Sequence, residues 1–309
     1  MNCNSANGAC ATLLDSSSLV QKHGSAARIS NRYHFQHGPI DIIATFEGSA
    51  AAVASALALA WNRFLSVLPE LVAELPELRK AINRESMPLC NGAIARQMIL
   101  ASSPFYEQFE QFITPMAAVA GCVADELLEA VLACGLQKII VNNGGDISLA
   151  SQPGETITVQ ILAPHGTIQL NNDDRRAVQR FGIATSGWSG RSFSLGIADA
   201  VTVVARTAGQ ADAAATMIAN AVGGLLEHPN IKRAAANSIK DDSDLGSTLV
   251  TTHVGKLEPE LIQQELARGA QFARSCLNNG KIIAATIYLQ GESVIVENYD
   301  RNSKSIHAN

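Results

Sequence analysis

The run from Ile140 to Ile147 reads IVNNGGDI, and it limits the folds open to this chain more than any other stretch. β-Branched residues stop at a polar, glycine-paired knot and resume directly behind it. Asn142 and Asn143 tolerate left-handed backbone, and two glycines make a tight reversal easy. Strands expected at 137–142 and 147–150 are then joined by a turn, and a third at 156–163 follows closely. Parallel neighbours need a crossover of a dozen or more residues. Connections this short point instead to a sheet built from hairpins. A plain hairpin needs only one Asn-Gly pair. Asn142, Asn143, Gly144, Gly145 and Asp146 supply more: two side-chain amides, two bare backbone N–H groups and a carboxylate. The turn can therefore also serve as a wall of a binding site.

The remaining pattern alternates helices with hairpin-type strands. Strands are expected at 31–36 and 40–46 around His37-Gly38-Pro39. An apolar helix starts near Glu47 and is expected to end before Pro69, with a proline-punctuated surface connection and a short helix over 69–80. Further helices are expected at 92–100, 116–134, 209–222 and 257–278. Pro115 opens the second of these and Gly135 closes it, the usual asymmetry of helix ends. Strands are expected at 180–185 and 197–205 around a glycine- and serine-rich loop, then an irregular charged stretch over 225–248. A hairpin of 281–289 with 293–298 closes the chain. The fold class this implies is α+β, a mostly antiparallel sheet packed with helices. The organisation expected is a flexible tail over 1–30, a single domain over 31–300 and a second tail over 301–309.

Composition removes several classes of function. The 309 residues can bury a sizeable core, and 47% hydrophobic against 17% charged residues marks a globular chain. A net charge of -5 argues against nucleic-acid binding. The first residues carry no Lys or Arg and no long apolar run, so no signal peptide is expected. Apolar stretches such as 49–61 look too short to span a bilayer, so no membrane partner is expected. Six scattered cysteines form no CxxC pair and read as reduced thiols in a cytoplasmic protein. Alanine-rich helix faces suggest a symmetric homodimer.

Four stretches could carry chemistry. In 113–125, ITPMAAVAGCVAD, small residues let a ligand approach the unsatisfied N–H groups of a helix start, with Met116 and Gly121 as candidate contacts. The turn at Asn143 to Asp146 is the second. The third, ATSGWSGRS over 184–192, offers N–H groups, hydroxyls and a guanidinium to an anion through Thr185, Ser186, Gly187, Arg191 and Ser192. It is not a G-x-S-x-G elbow, because Arg191 replaces the last glycine. In the fourth, ADAAATMIANAV, Asp212, Thr216 and Asn220 fall one helical turn apart and make one polar stripe. A carboxylate and a hydroxyl so placed offer hard oxygens to Mg²⁺. Asp199, in an otherwise apolar strand, must be paired or functional. The histidines have no metal-ligand spacing and read as surface or turn residues.

Taken in order, PMAAVAG, NNGGDI, ATSG…GRSFSLGIADAVTVVA and ADAAATMIANAV resemble the ApbE-like proteins, a branch related to the FAD:protein FMN transferases. The resemblance runs from about Arg32 to about Glu292. It implies a T-fold-like architecture and, as in the transferases, a cleft for FAD or FMN and Mg²⁺. By motif match, Asn143, Gly144, Gly145 and Asp146 would contact the ligand, with Thr185, Ser186 and Gly187 beside it. Asp212 and Thr216 would hold the metal, and Asp212 or Asp199 would assist catalysis. The chain departs from the transferases at Ala120, where they carry a lysine, and in the loop WSGRSFSLG, where a histidine is usual in this branch at Arg191. Three functions remain open. One is a Mg²⁺-dependent flavin transferase acting on an acceptor protein. Another is a hydrolase or ring-processing enzyme of heterocycle catabolism, acting on a small anionic heterocycle. The third is a non-catalytic flavin-binding accessory protein.

Overall fold

The structure, a computed structural model, describes residues 2–4, 9–19, 28–85, 87–162, 165–172, 177–224, 226–297 and 306–308. The strands are β1 (Asn2–Asn4), β2 (Ala9–Leu19), β3 (Arg28–His37), β4 (Ile40–Ser49), β5 (Lys138–Asn143), β6 (Asp146–Ser151), β7 (Thr156–Leu162) and β8 (His165–Asn171). They continue with β9 (Gln179–Ser186), β10 (Ala200–Ala205), β11 (Ile231–Ala235), β12 (Leu249–Val254), β13 (Ala284–Leu289), β14 (Glu292–Glu297) and β15 (Ile306–Ala308). The helices are α1 (Ala50–Leu78), α2 (Ala93–Phe109), α3 (Val119–Val131), α4 (Ala208–Ala221), the single turn α5 (Ala236–Ile239) and α6 (Pro259–Asn278).

Ten strands form one sheet in the order β1-β2-β3-β4-β5-β6-β9-β10-β13-β14. Every pairing in it is antiparallel, as the short connections required. The period-2 rule is clear in β4, where Ile40, Ile42, Ala44 and Phe46 are buried alternately. They meet Phe35 of β3 and Val53, Phe64 and Val67 of α1 in the main core. On the other face, Leu149, Phe181 and Ile183 pack with Ile157 and Ile168 of the three-stranded sheet β15-β8-β7. β10 is buried at all six positions, as a strand covered on both faces should be.

Several sequence expectations change. Part of the stretch read as an N-terminal tail is strand β2, paired with β3 from Ala9↔His37 to Leu19↔Arg28. In the stretch read as a C-terminal tail, β15 pairs with β8. α1 does not stop before Pro69 but runs through Pro69 and Pro76 to Leu78. Each proline removes one N–H and crowds the carbonyl four residues back. Both lie on the exposed side, while Phe64, Val67, Leu71 and Leu78 keep the buried stripe continuous. α1 is thereby long and apolar enough to cross a membrane by length and composition, against the expectation from 49–61. Here it packs on β3, β4 and α3. α2 likewise runs on through Pro104 to Phe109. The stretch 225–248, read as irregular, contains β11 and α5, and β8 and β12 were not foreseen. Cys90, Cys122, Cys134 and Cys276 are free, and Cys122 and Cys276 are buried.

α3 and α4 cross at unusually short range. A Cβ on Gly121 would lie 2.3 Å from the Ala208 carbonyl oxygen, and one on Gly209 would lie 2.4 Å from Cys122 Sγ. Backbone at this spacing has no room for a methyl group. Gly121→Ala is expected to cost about 1–3 kcal/mol in urea unfolding, as overpacking does. Ala54→Ser, on the exposed side of α1, should leave the midpoint almost unchanged.

Candidate active site

The site begins at the β5–β6 turn. Asn143 pairs with Asp146 across a two-residue loop in which Gly144 has φ +67° and Gly145 φ +115°. Positive φ at both central positions is the geometry that matches strand twist in tight hairpins. Three side chains fix the turn. Asn142 Oδ1 accepts from Gly145 N–H at 2.7 Å. Asn143, itself buried, donates through Nδ2 to the Ala120 carbonyl at 3.0 Å. Arg191 lies over the turn and donates through Nη2 to the Gly144 carbonyl at 2.6 Å. A Cβ on Gly144 would stand 1.4 Å from that Nη2, so the left-handed backbone and the guanidinium both require glycine.

Behind the turn, α3 and α4 exchange carboxylates. Asp125 on α3 accepts from the Ala208 and Gly209 N–H groups at 3.0 and 2.8 Å, and from Ser148 Oγ at 2.6 Å. It thus caps the start of α4 together with Thr207 Oγ1, which accepts from Gln210 N–H at 3.2 Å. In the other direction, Asp212 on α4 accepts from Gly121 N–H at 3.0 Å and also from Ala120 N–H, at the start of α3. These orphan donors suit an anion. Burial nevertheless outweighs them at both carboxyls. It raises Asp125 above its ordinary range, and it raises Asp212 well above, with Asp146 adding to the effect. Burial also lifts Asp146 to about 7, opposed by the Thr185 N–H and the Arg191 charge.

Asp146 and Asp212 open onto one cavity of about 290 Å³. Of the sequence candidates, Met116, Asp146, Arg191, Ser192, Asp212 and Thr216 line it, and Ala120 and Asn220 do so as well. Asn143, Gly144, Gly145, Thr185 and Gly121 are not in its wall: Asn143 and Gly121 are buried, whereas Gly144, Gly145 and Thr185 are exposed. Ser186 and Gly187 are not in the wall. A Cβ on Gly187 would meet the Asp199 carbonyl oxygen at 2.2 Å, so this glycine serves a close chain crossing. Asp199 does not reach the cavity either. Its Oδ1 accepts from Trp188 Nε1 at 2.9 Å and its Oδ2 from Gln290 N–H at 2.6 Å, so it ties the 187–199 loop to the β13–β14 turn. Asn220 Oδ1 accepts from Leu195 N–H at 2.9 Å and seats the same loop on α4.

Sequence reading missed the opposite wall: Arg79, Phe112, Phe193, Lys240 and Asp242. These come from four distant segments, of which only the one with Phe193 belongs to a quoted motif, and only the tertiary fold joins them. A second cavity, of about 310 Å³, lies at the Thr207 end of α4 beside Asp125, Arg180 and Arg206. The buried carboxylate there is already satisfied by three donors, so the unspent chemistry sits at Asp146 and Asp212.

Two neighbouring carboxylates, each disfavoured as an anion by burial, are a place that a cation would relieve. Asp212, Asp146 and the Thr216 hydroxyl are hard oxygen donors, which fits Mg²⁺. Among the described residues, no group of three or more His, Cys, Asp or Glu could hold a metal ion. A two-carboxylate site completed by water and ligand oxygens is how Mg²⁺ is usually held.

With this geometry in place, comparison identifies the class. The family described as AbpE bacteria matches residues 23–295, and the chain belongs to this ApbE-like family. The UPF0280 protein of Methanothrix thermoacetophila is 36% identical over 160 residues, 50% of this chain and 63% of that protein. The UPF0280 protein of Archaeoglobus fulgidus is 39% identical over 111 residues, 36% of this chain and 45% of that protein. In neither does the match reach two thirds of the relative's length. The flavinyl transferase ApbE of Pseudomonas stutzeri, in its apo form, aligns with a TM-score of 0.37 at 12% identity, over 93% of this chain and 94% of that one.

The raised carboxyl of Asp146 makes stability depend on pH. An unfolded Asp titrates near about 3.9, so between about 4 and 7 the folded state keeps a proton the unfolded state has released. That contribution is complete below about 4 and is lost as pH rises through about 7. The Tm of metal-free protein should fall across this interval, and Asp146→Asn should flatten the fall. Millimolar Mg²⁺ should raise Tm more above neutrality than below about pH 5, because it competes with the proton.

Proposed function

We propose that this chain is a Mg²⁺-dependent flavin transferase, moving FMN from FAD to a hydroxyl of an acceptor protein. The observation that carries the reading is the Asp146–Asp212 carboxylate pair, held with Thr216 at one cavity whose walls also bear cations. Membership of the ApbE-like family supports it.

In this reading Asp212 and Thr216 would hold Mg²⁺, with Asp146 beside them. The ion would supply charge neutralisation at the pyrophosphate. The chain's own residues do the rest. Gly121 and Ala120 N–H groups orient Asp212. Arg191, anchored on the Gly144 carbonyl, faces the ligand's anionic oxygens. The acceptor hydroxyl forms the new P–O bond as the bond between the two phosphates breaks and AMP leaves. Asp146, which lines the same cavity, takes the hydroxyl proton. Asp199 has no part in the chemistry and fixes the loop that carries Arg191. Ala120 supplies no cation where transferases carry a lysine, and Arg191, Arg79 and Lys240 are the positive groups at the cavity.

A second reading is favoured by one dimension. At about 290 Å³ the cavity sits at the lower limit of ordinary ligand pockets, nearer to half a dinucleotide than to a whole one. A small anionic heterocycle would fill it, with Phe112 and Phe193 against the ring.

Incubation with FAD, Mg²⁺ and a panel of hydroxyl-bearing acceptor peptides separates the two. Transfer yields AMP in equal amount to a covalently fluorescent peptide, and Asp212→Asn should lower the rate by at least about 100-fold, as loss of an electrostatic group does. Tight flavin binding with no AMP in any arm would remove the transferase reading.

A further inference from the structure

Arg79, Lys240 and Asp242 take no essential part in the chemistry above, yet they share its cavity. Arg79 stands at the C-terminal cap of α1 and donates through Nη2 to Asp242 Oδ2 at 2.7 Å. Lys240 Nζ lies 3.9 Å from Oδ1 of the same carboxylate. Two cations thus bracket one exposed anion at the cavity rim. Phe112 lines the same cavity and is 42% exposed, an aromatic ring without full cover. An ion pair in this setting contributes only about 0–1 kcal/mol, so its carboxylate is readily exchanged for another anion. A phosphate would carry more charge than Asp242 and can take two parallel hydrogen bonds from a guanidinium.

We infer that Arg79 and Lys240 form an anion subsite at the cavity rim, that Asp242 fills it when no ligand is bound, and that a phosphate or carboxylate of the ligand displaces Asp242. The ligand therefore carries an anionic group besides the one held near Asp146 and Asp212. Phe112 is the adjacent surface for the planar ring to which that group belongs. Asp242 acts as an internal competitor, and its removal improves binding. This depends on the functional reading above only in placing the ligand in the same cavity.

Inorganic phosphate tests the subsite without a flavin. Its affinity for the intact protein, followed by ³¹P line broadening and by thermal shift, should rise about fivefold in Asp242→Asn, the equivalent of about 1 kcal/mol. Arg79→Gln and Lys240→Gln should each weaken it, Arg79→Gln by about tenfold, as expected for a charge-assisted bond. Unchanged affinity in Asp242→Asn, or wild-type affinity in Arg79→Gln, would overturn the assignment. If Arg79→Gln proves unstable without phosphate, Asp242→Asn alone decides, since it keeps the side-chain shape. FMN compared with benzoate on the same variants separates a phosphate from a carboxylate as the preferred group. AMP release is assayed in parallel: its absence with the phosphate pattern intact sinks the transferase reading and leaves the subsite standing.

Discussion

The site depends on an exchange of carboxylates between two helices. Asp125 of α3 holds the first N–H groups of α4, and Asp212 of α4 holds the first N–H groups of α3. Each acid satisfies donors that a helix start would otherwise leave bare. The exchange needs the helices to touch at backbone distance, and Gly121 and Gly209 permit that. Gly182 of β9 extends the same rule to the sheet, since a Cβ there would lie 2.1 Å from the Thr207 carbonyl carbon. Small residues in these motifs are therefore not passive filler. They bring a helix start, a second helix start and a hairpin turn close enough for three carboxylates to share one region.

That closeness sets the electrostatics. Asp146 and Asp212 lie near enough that the charge on the first disfavours the charge on the second, and burial disfavours both. A protein tolerates such a pair only with protons or a cation to offset it. The fixed cations stand elsewhere in the cavity, on Arg191 above the turn and on Arg79 and Lys240 at the rim. Asp146 and Asp212 lie toward the helix crossing, and Arg79 and Lys240 at the rim are paired with Asp242.

The sheet was legible because its strands are joined by turns with local chemistry. Alternation in β4 and the glycine pair after Asn143 were enough for the hairpins and for the antiparallel class. The stripe of Asp212, Thr216 and Asn220 was legible from helical spacing, and all three reach the cavity. Asp199 shows the limit of local reading: a carboxylate in an apolar strand must be satisfied, and sequence does not say whether by a ligand or by Trp188 Nε1 and the Gln290 N–H. The extent of α1 was hidden because local rules end a helix near proline, while a continuous buried stripe carries this one past two. Arg79, Lys240 and Phe112 were out of reach, since nothing local distinguishes them from ordinary surface residues.

IVNNGGDI folds as a tight hairpin, and its Asp146 lines the cavity. A tight hairpin requires left-handed backbone at Gly144 and Gly145, and that conformation turns the Gly144 carbonyl to Arg191. The same glycine must lack a side chain for the guanidinium to lie against it. Asn143, which precedes the glycines, reaches the Ala120 carbonyl, while the Ala120 N–H meets Asp212. Asp146, which follows them, faces the cavity. The residues that make the turn fold are thus those that join it to both helices and to the loop cation. A substitution that spared the hairpin but removed the glycine at 144 would still displace Arg191, so turn geometry and the place of this guanidinium cannot vary independently at this position.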